Sequence, residues 1–486
     1  MTRPVAERLV ETRRGLHEHP EPGWREFYTT SRLVEEIERI GVDELAVGRE
    51  AYDPADRMGV LEDDAYEEWV DRARDLGARE DVLERTEGGV TGCVAVLERG
   101  EGPTVGLRVD IDGLFIEESA DDEHAPAREG FRSDTDGVMH ACGHDAHMTM
   151  GLATLEAVKE SDFSGRLVVF FQPAEELGGG GHPMAESRFI EGIDYLFAVH
   201  VGLGHPTGRV VAGIERALAI AHVEAVFHGT SAHAGKSPEE GDNAMQALGT
   251  AISNAYGIPR HSEGMTRVNV GYAEAGSASN VIADRARVEA EARGETTALK
   301  EYGKSRLKRA FRGAAESHGC ELEFEVTTEC PRADSDPELA DHVASVAEGV
   351  EGVTEVLPIA DFGASEDATY LMDRVQGNGG LATYMIVGTD HPTGHHSPTF
   401  DVDEESLPIG VGVLTEAILG VGDGDVAADS DVTATDGDVA ADSDVTATDG
   451  DVAADSDVTA TDGDVSAGGG DAPATDGGST GSGADR

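Results

Sequence analysis

The first half of the chain contains four short apolar runs, each followed by polar residues. They cover residues 90–97, 104–109, 166–171 and 195–199. Near-continuous apolar runs of this length are typical of strands buried on both faces of a helix-covered sheet. Helical periodicity at 6–15, 29–40 and 147–158 predicts covering helices, and the charged segment 50–86 is interpreted as an inserted surface helix. The pattern predicts an α/β fold with a mixed, helix-covered sheet.

A different pattern begins near residue 217. Predicted strands at 222–227, 266–274, 285–292 and 320–327 alternate with predicted helices at 243–255 and 297–318. This is the β-α-β-β-α-β order of ferredoxin-like α+β folds. The α/β pattern resumes after Pro331 and ends near residue 421. We therefore predict a discontinuous larger domain over 1–215 and 330–421, with a smaller domain inserted at 216–329.

The remaining residues, 422–486, form an acidic repeat tail. Similar copies start at Asp423, Asp436 and Asp449, a spacing of 13 residues, and a decayed copy starts at Asp462. Isolated valines are the only bulky apolar groups, so burial cannot offset the entropy of ordering, and we predict disorder. Calcium binding is the alternative, but the central glycine and closing glutamate of an EF-hand loop are absent.

The chain is strongly acidic throughout. Its 486 residues include 96 Asp and Glu against 37 Lys and Arg, a formal charge of -59. This charge argues against nucleic acid and anionic membranes as partners. High acidity with few lysines is typical of proteins from salt-loving organisms, in which molar salt screens self-repulsion. We expect the fold to be lost at low salt, and a circular dichroism spectrum unchanged on salt removal would contradict this.

The cysteines and the apolar runs indicate the cellular compartment in which the protein is expected. The four cysteines show no framework spacing, and no run approaches the 18 apolar residues of a membrane-spanning helix. We expect a soluble, cytoplasmic protein with reduced cysteines.

The segment 139–147, MHACGHDAH, concentrates metal-capable side chains more than any other stretch. Thiolate and neutral imidazole both bind divalent transition metals, and the glycine between Cys142 and His144 allows a tight loop that directs both inward. The alternative is a histidine-rich surface loop. A metal site needs further ligands, and the candidates are Glu175, Glu176, His200, His395 and His396.

Glu175 and Glu176 follow a predicted buried strand. At a turn after a strand both carboxylates can reach one cavity, so that one binds metal and the other remains a general base. In open α/β sheets ligands bind beyond the carboxyl ends of the strands, which is where these residues and His200 are expected.

Four segments taken together resemble the M20 family of metallopeptidases, in its aminoacylase and amidohydrolase branch. They are Cys142-Gly143-His144-Asp145, Gln172-Pro173-Ala174-Glu175-Glu176, Ala198-Val199-His200 and Gly394-His395-His396. The resemblance covers about residues 1–420. It implies a catalytic larger domain, two metal ions and an inserted lid and dimerisation domain. The implied metal ligands are Cys142, His144, Glu176, His200 and His396, with Glu175 as the base and Asp112, or its rival Asp110, as the aspartate beside the metals.

The resemblance also implies substrate contacts in the inserted domain. His233, in Gly229-Thr230-Ser231-Ala232-His233, would stabilise the oxyanion in the active site of a partner subunit. Asn280 and Arg293 match positions that hold the substrate carboxylate. From the residues alone, Asn280 could merely serve a turn and Arg293 a surface ion pair. His17, His19, His140, His147 and His395 are interpreted as structural, with His17 and His19 distant from the main motif.

The implied activity is hydrolysis of the amide bond of small N-acyl amino acids, p-aminobenzoyl-glutamate among them. General aminoacylase, hippurate hydrolase and indole-acetyl amino acid hydrolase activities are alternatives, as is a non-catalytic subunit of a two-subunit hydrolase. Manganese or zinc suits the ligand set, and cobalt or nickel is possible. The implied assembly is a homodimer or a heteromer with a related subunit.

Overall fold

The structure, a computed structural model, describes residues 3–60, 65–391 and 393–422. The predicted disordered tail therefore lies outside the described residues from 423 onward. Strands in the described ranges are β1 Glu44–Val47, β2 Cys93–Glu98, β3 Thr104–Asp110, β4 Arg166–Gln172, β5 Tyr195–Val201, β6 Arg209–Val211, β7 Ile214–Glu215, β8 Ala219–His228, β9 Thr266–Ala275, β10 Arg285–Gly294, β11 Glu321–Cys330, β12 Glu355–Leu357, β13 Ala360–Asp361 and β14 Leu381–Val387.

The described α-helices are α1 Arg3–His17, α2 Phe27–Ile40, α3 Glu67–Asp75, α4 Glu80–Arg85, α5 Ala125–Glu129, α6 His144–Glu160, α7 Gly181–Ala185, α8 Ala244–Tyr256, α9 Thr297–Ser317, α10 Pro337–Ala347, α11 Ala368–Gly377 and α12 Ser406–Gly422. None of the helices in the described ranges is both long and apolar enough to cross a membrane.

The larger sheet has eight strands in the order β1-β2-β4-β3-β5-β14-β6-β12. Its centre, β4-β3-β5-β14, is parallel, and β2 and β6 pair antiparallel beside it. Alternate residues of β4 enter two different cores, Leu167, Val169 and Phe171 on one face and Val168 and Phe170 on the other. Burial on both faces explains the near-continuous apolar runs and confirms the predicted helix-covered mixed sheet.

The second sheet has the order β11-β8-β10-β9 and is antiparallel throughout. Phe227 of β8 and Phe311 of α9 lie in its core, together with Leu248 of α8, so both helices cover one face. This is the ferredoxin-like arrangement that the sequence order predicts. The sheet extends from Ala219 to Cys330. The domain boundaries at 216 and 329 stay a prediction.

Two details of the secondary-structure prediction were wrong. The segment 50–86 does not form one helix, because its described part holds the separate helices α3 and α4. Helix α6 begins at His144 rather than at residue 147, because Gly143 adopts φ 84° and turns the chain directly into the helix. His144 therefore lies in the first turn of a buried helix.

Candidate metal centre

Gly143 brings Cys142 and His144 to the same side of the chain. Its left-handed φ of 84° is unfavourable for other residues, and a Cβ there would lie 2.4 Å from Cγ2 of Val201. The backbone thus packs directly on the end of β5. Cys142 and His144 are 8% and 1% exposed.

His200, near the end of β5, faces the same thiol. Its Nε2 lies 3.4 Å from the Sγ of Cys142, and its Nδ1 lies 2.7 Å from the carbonyl oxygen of Val201. Since only an N–H can bond that carbonyl, Nδ1 carries the proton and Nε2 presents its lone pair toward Cys142.

His144 is oriented in the same way by a carboxylate. Its Nδ1 lies 3.2 Å from Oδ1 of Asp112, which leaves Nε2 facing Glu176 at 3.8 Å. Within the described residues, Nε2 of His144 is buried and has no hydrogen-bond partner, and Oε1 of Glu176 has ionic contacts with His144 at 3.8 Å and His396 at 3.3 Å. Burying a polar nitrogen without a partner beside a carboxylate is costly, and a cation bound by both groups would remove that cost.

His396 completes the group from the opposite side. Its Nε2 lies 3.3 Å from Oε1 of Glu176, and its backbone N–H donates to the carbonyl of Ala141 at 2.9 Å. His396 has φ 59°, a strained value for a residue with a side chain. That strain occurs at a predicted ligand position, and strained backbone is common at functional sites.

The predicted ligand residues fall into two sets that share one thiol. Ligand atoms of Cys142, His144 and His200 lie within 4.8 Å of one another, and so do those of Cys142, Glu176 and His396. Thiolate, imidazole and carboxylate suit zinc, and several other divalent ions are compatible. The donor set therefore fits two adjacent divalent ions around Cys142.

Electrostatics support this interpretation. Burial acts to lower the pKa of His144, but the carboxylates of Asp110, Asp112 and Glu176 outweigh it and raise that pKa to about 10. A histidine held so strongly in its charged form marks a site where positive charge is stabilised. A metal ion would supply that charge in place of the proton.

Glu175 lies beside the ligand sets. Its Oε2 is 3.9 Å from Nε2 of His144, and its carboxylate neighbours those of Asp110 and Glu366. Burial, followed by the negative charges of Glu366, Glu176 and Asp367, raises the pKa of Glu175 well above its usual range. A carboxylate in this environment has a strong tendency to accept a proton.

Asp110 and Asp112, the two rival aspartates, have different contacts. Asp112 bonds His144 and accepts the backbone N–H of Glu176 at 3.0 Å, so it orients two of the predicted ligands. Asp110 accepts from Arg108 at 2.8 Å and bonds Nδ1 of His147. The ring of His147 is fully engaged, because its Nε2 accepts the N–H of Val201 at 2.9 Å. That agrees with a structural role for His147.

Sequence reasoning missed a buried charged cluster behind Glu175. Arg108 is fully buried, donates to Gln172, Asp110 and Asp367 at 2.8–2.9 Å, and forms an ion pair with Glu366 at 3.1 Å. The hydroxyl of Tyr384 donates to Glu366 at 3.0 Å. The signal was present, since an arginine within an apolar strand requires buried acidic partners and Glu366-Asp367 is an adjacent acidic pair.

The predicted substrate residues lie apart from the metal-capable group. His233 and Asn280 are both exposed and lie close together. The N–H of Ala234 donates to the carbonyl of Asn280 at 3.0 Å, and His233 forms an isolated antiparallel β-bridge with Val281. Arg293 pairs with Glu291 at 3.0 and 3.1 Å. Within the described residues, none of the three is part of a metal-capable group. Their roles stay predictions.

The prediction that His17 lies far from the main motif was wrong. Its Nδ1 is 2.8 Å from Oδ2 of Asp145, the residue that follows His144, and its Nε2 is 3.0 Å from Glu118. Helix α1 runs to His17 and contacts α6, which the proline-rich sequence after His17 concealed. His19 is half-buried and pairs with Asp134 at 2.9 Å.

A match to a family model identifies the class of protein to which this fold and candidate site belong. Residues 106–420 match the model of peptidase family M20/M25/M40, so the chain belongs to that family. It is an M20-family hydrolase, and it carries the family's fold and a set of candidate metal ligands.

Two curated relatives cover nearly the whole described region. Indole-3-acetyl-aspartic acid hydrolase of Enterobacter agglomerans is 39% identical over 84% of this chain and 94% of its own length. One of the subunits of p-aminobenzoyl-glutamate hydrolase from Escherichia coli K12 is 39% identical over 85% of this chain and 96% of its own length.

A solved structure agrees with the fold. The crystal structure of an aminobenzoyl-glutamate utilization protein from Klebsiella pneumoniae has a TM-score of 0.74 and 33% identity, covering 86% of this chain and 96% of that one. The chain is thus similar to hydrolases named for cleaving N-acylated acidic amino acids.

Proposed function

We propose that this protein is a metal-dependent amidohydrolase that cleaves the amide bond of N-acyl amino acids. The observation that carries the proposal is the pair of ligand sets sharing Cys142, with Glu175 beside them. Two divalent ions in these sets would act as Lewis acids toward the scissile carbonyl and toward water.

The remaining chemistry falls to side chains of the chain itself. Glu175 takes a proton from the attacking water and returns it to the leaving amine, because it lies beside both ligand sets. Asp112 holds the ring of His144 and the backbone of Glu176 in place. His233 donates to the carbonyl oxygen as negative charge develops there.

The substrate class follows from the relatives. Indole-3-acetyl-aspartate and p-aminobenzoyl-glutamate both join an aromatic acyl group to a dicarboxylic amino acid, and their named hydrolases are the two described above. We propose substrates of this type, with Asn280 and Arg293 binding a carboxylate of the amino acid.

Assembly and location belong to the same proposal. The name of the Escherichia coli relative specifies one chain of a multi-subunit enzyme, which supports a heteromer. A homodimer in which His233 serves the partner's site is the alternative. The four cysteines are free and buried, in keeping with a reducing cytoplasm. Manganese or zinc is the proposed ion.

The test is hydrolysis of p-aminobenzoyl-glutamate, indole-3-acetyl-aspartate, hippurate and N-acetyl-methionine at high salt with added Mn²⁺. We expect the two dicarboxylic substrates to be cleaved fastest, and Glu175→Ala to lower the rate by about 10²- to 10⁴-fold. A folded, metal-loaded wild type without turnover would favour a non-catalytic or partner-dependent chain.

A further inference from the structure

The segment that carries Glu175 and Glu176 is a closed loop between β4 and α7. We call residues 173–180 the catalytic loop. Its two ends touch, because a Cβ on Gly180 would lie 1.7 Å from the carbonyl oxygen of Pro173. The position of both glutamates therefore depends on what holds the residues that flank the loop, Gln172 and Gly181.

One buried carboxylate bonds both flanks. Oδ1 of Asp367 accepts from the side-chain amide of Gln172 at 2.7 Å, and its Oδ2 accepts from the backbone N–H of Gly181 at 2.8 Å. Asp367 is 1% exposed. Across the described residues, no other side chain bonds both flanks of the catalytic loop. Asp367 thus closes the loop at its base.

Arg108 fixes Asp367 and links it to the neighbouring strand. Its planar guanidinium donates to Asp367 at 2.8 Å, to Gln172 at 2.9 Å and to Asp110 at 2.8 Å. A rigid fork with several directed donors leaves its partners little freedom. The base of the loop is therefore tied to the end of β3, close to Asp112 and His144.

Two further carboxylates hold the interior of the loop. Glu26 accepts the N–H of Ala174 at 2.8 Å, and Asp112 accepts the N–H of Glu176 at 3.0 Å. Ala174 has φ 53°, which a residue with a side chain rarely adopts without such support. The loop is held at its base and at two interior points, and the base contact belongs to Asp367.

We propose that Asp367 is a positioning residue, which holds the catalytic loop so that Glu176 reaches the ion-binding set and Glu175 reaches the scissile amide. The part concerning Glu175 rests on the proposed function, whereas the part concerning Glu176 requires only that the centre binds metal. Groups that orient metal ligands typically contribute about 10- to 100-fold to metal affinity or activity.

The test compares Asp367→Asn with Asp336→Asn in the full-length protein. Asp336 is a matched control, because its Oδ2 also accepts from a glutamine amide, that of Gln376 at 2.8 Å, and from a backbone N–H, that of Ala382 at 2.7 Å. Mn²⁺ binding to the metal-free protein is measured by calorimetric titration, and thermal unfolding is recorded for each variant.

We expect Asp367→Asn to weaken the binding of at least one Mn²⁺ ion by about 10- to 100-fold, and Asp336→Asn to leave both affinities unchanged. If Asp367→Asn does not fold, Gln172→Ala takes its place, since it removes one flank contact and keeps the pair of Arg108 and Asp367. Gln172→Ala is also expected to weaken Mn²⁺ binding, but by a smaller factor than Asp367→Asn.

Turnover supplies the second readout. With Mn²⁺ at saturation, Asp367→Asn should lower kcat for p-aminobenzoyl-glutamate by about 10- to 100-fold and leave KM nearly unchanged. Wild-type Mn²⁺ affinity in a folded Asp367→Asn or Gln172→Ala variant, or an equal loss in Asp336→Asn, would overturn the proposal. Because the titration needs no turnover, a wild type that binds Mn²⁺ but hydrolyses nothing would overturn only the proposed function.

Discussion

The candidate functional residues at the eight-stranded sheet and those at the four-stranded sheet differ in how deeply they are buried and in how neighbouring groups hold them. At the ends of β3, β4 and β5, Cys142, His144 and His200 are buried, and partners in the same chain orient both imidazoles. On the four-stranded side, His233 and Asn280 are exposed and Arg293 pairs with Glu291 of its own strand. The predicted ion-binding residues are thus held in place by partners within one chain. The proposed substrate-binding residues, in contrast, are exposed or paired at the surface, so we expect a ligand or a second copy of the chain to be needed to position them.

The largest expected effect comes from the thiol that both ligand sets share. Cys142→Ala should reduce bound metal below two ions per chain and lower turnover by about 10³-fold, since Lewis-acid stabilisation of several kcal/mol is lost. Metal content by mass spectrometry and the hydrolysis rate are the measurements. Cys93→Ala, at a buried cysteine in β2, is the control and should keep both ions.

The next largest effect is expected at His233, one of the exposed residues beside the four-stranded sheet. His233→Ala should lower kcat by about 10²- to 10³-fold through loss of an oxyanion donor, while metal content stays at the wild-type level. His228→Ala, at another exposed histidine of this region, is the control. If His233 serves the partner's site, mixing His233→Ala with Glu175→Ala chains should restore activity, whereas inactive mixed dimers would place His233 in the site of its own chain. A wild-type kcat in His233→Ala would place it outside catalysis.

A smaller effect is expected from Arg293. Arg293→Ala should raise KM for p-aminobenzoyl-glutamate about tenfold with little change in kcat, because a charge-assisted contact to a carboxylate contributes about 1.5 kcal/mol. Arg285→Ala, which removes an arginine that pairs with Glu274, is the control. Equal KM values for both variants would leave Arg293 as a surface ion pair.

The smallest effect concerns the stability of the buried half. Burial and Arg13 act to lower the pKa of His17, but hydrogen bonds to Asp145 and Glu118 outweigh them and raise it to about 9. A folded pKa above the unfolded value of 6.5 gives stability that is complete below pH 6.5 and lost as pH rises through 9. Thermal unfolding should therefore occur a few degrees lower at pH 10 than at pH 6. In His17→Gln this dependence should be weaker, and an identical pH profile would contradict the assignment.

The sequence predicted the frame of the molecule well, for a physical reason. Strands buried on both faces must be apolar throughout, so β3, β4 and β5 are visible as runs, and ligands cluster at their carboxyl ends. The short strands β1, β6, β7, β12 and β13 were missed, because two to four residues give too little periodicity to detect.

The candidate site was predictable only where metal-capable residue types lie close together in the sequence. Cys142, His144 and the Glu175-Glu176 pair stand out by residue type, and the structure brings them together. Asp367 was missed although it belongs to an adjacent acidic pair, since it lies 259 residues from Arg108 and the sequence does not show that the two meet in the fold. His17 was misjudged for the same reason, because its contact to Asp145 spans 128 residues.

The glycines that follow Glu176 also limit how this protein can be altered. A side chain at Gly180 would strike the carbonyl of Pro173, and one at Gly181 would strike Asp367. Natural or laboratory variation therefore cannot reshape the catalytic loop by single substitutions at these positions. Mutant libraries that aim to change the preferred acyl group or amino acid of the substrate should therefore vary the exposed strands and loops of the four-stranded sheet. There, residues around His233, Asn280 and Arg293 can change without disturbing the ion-binding core.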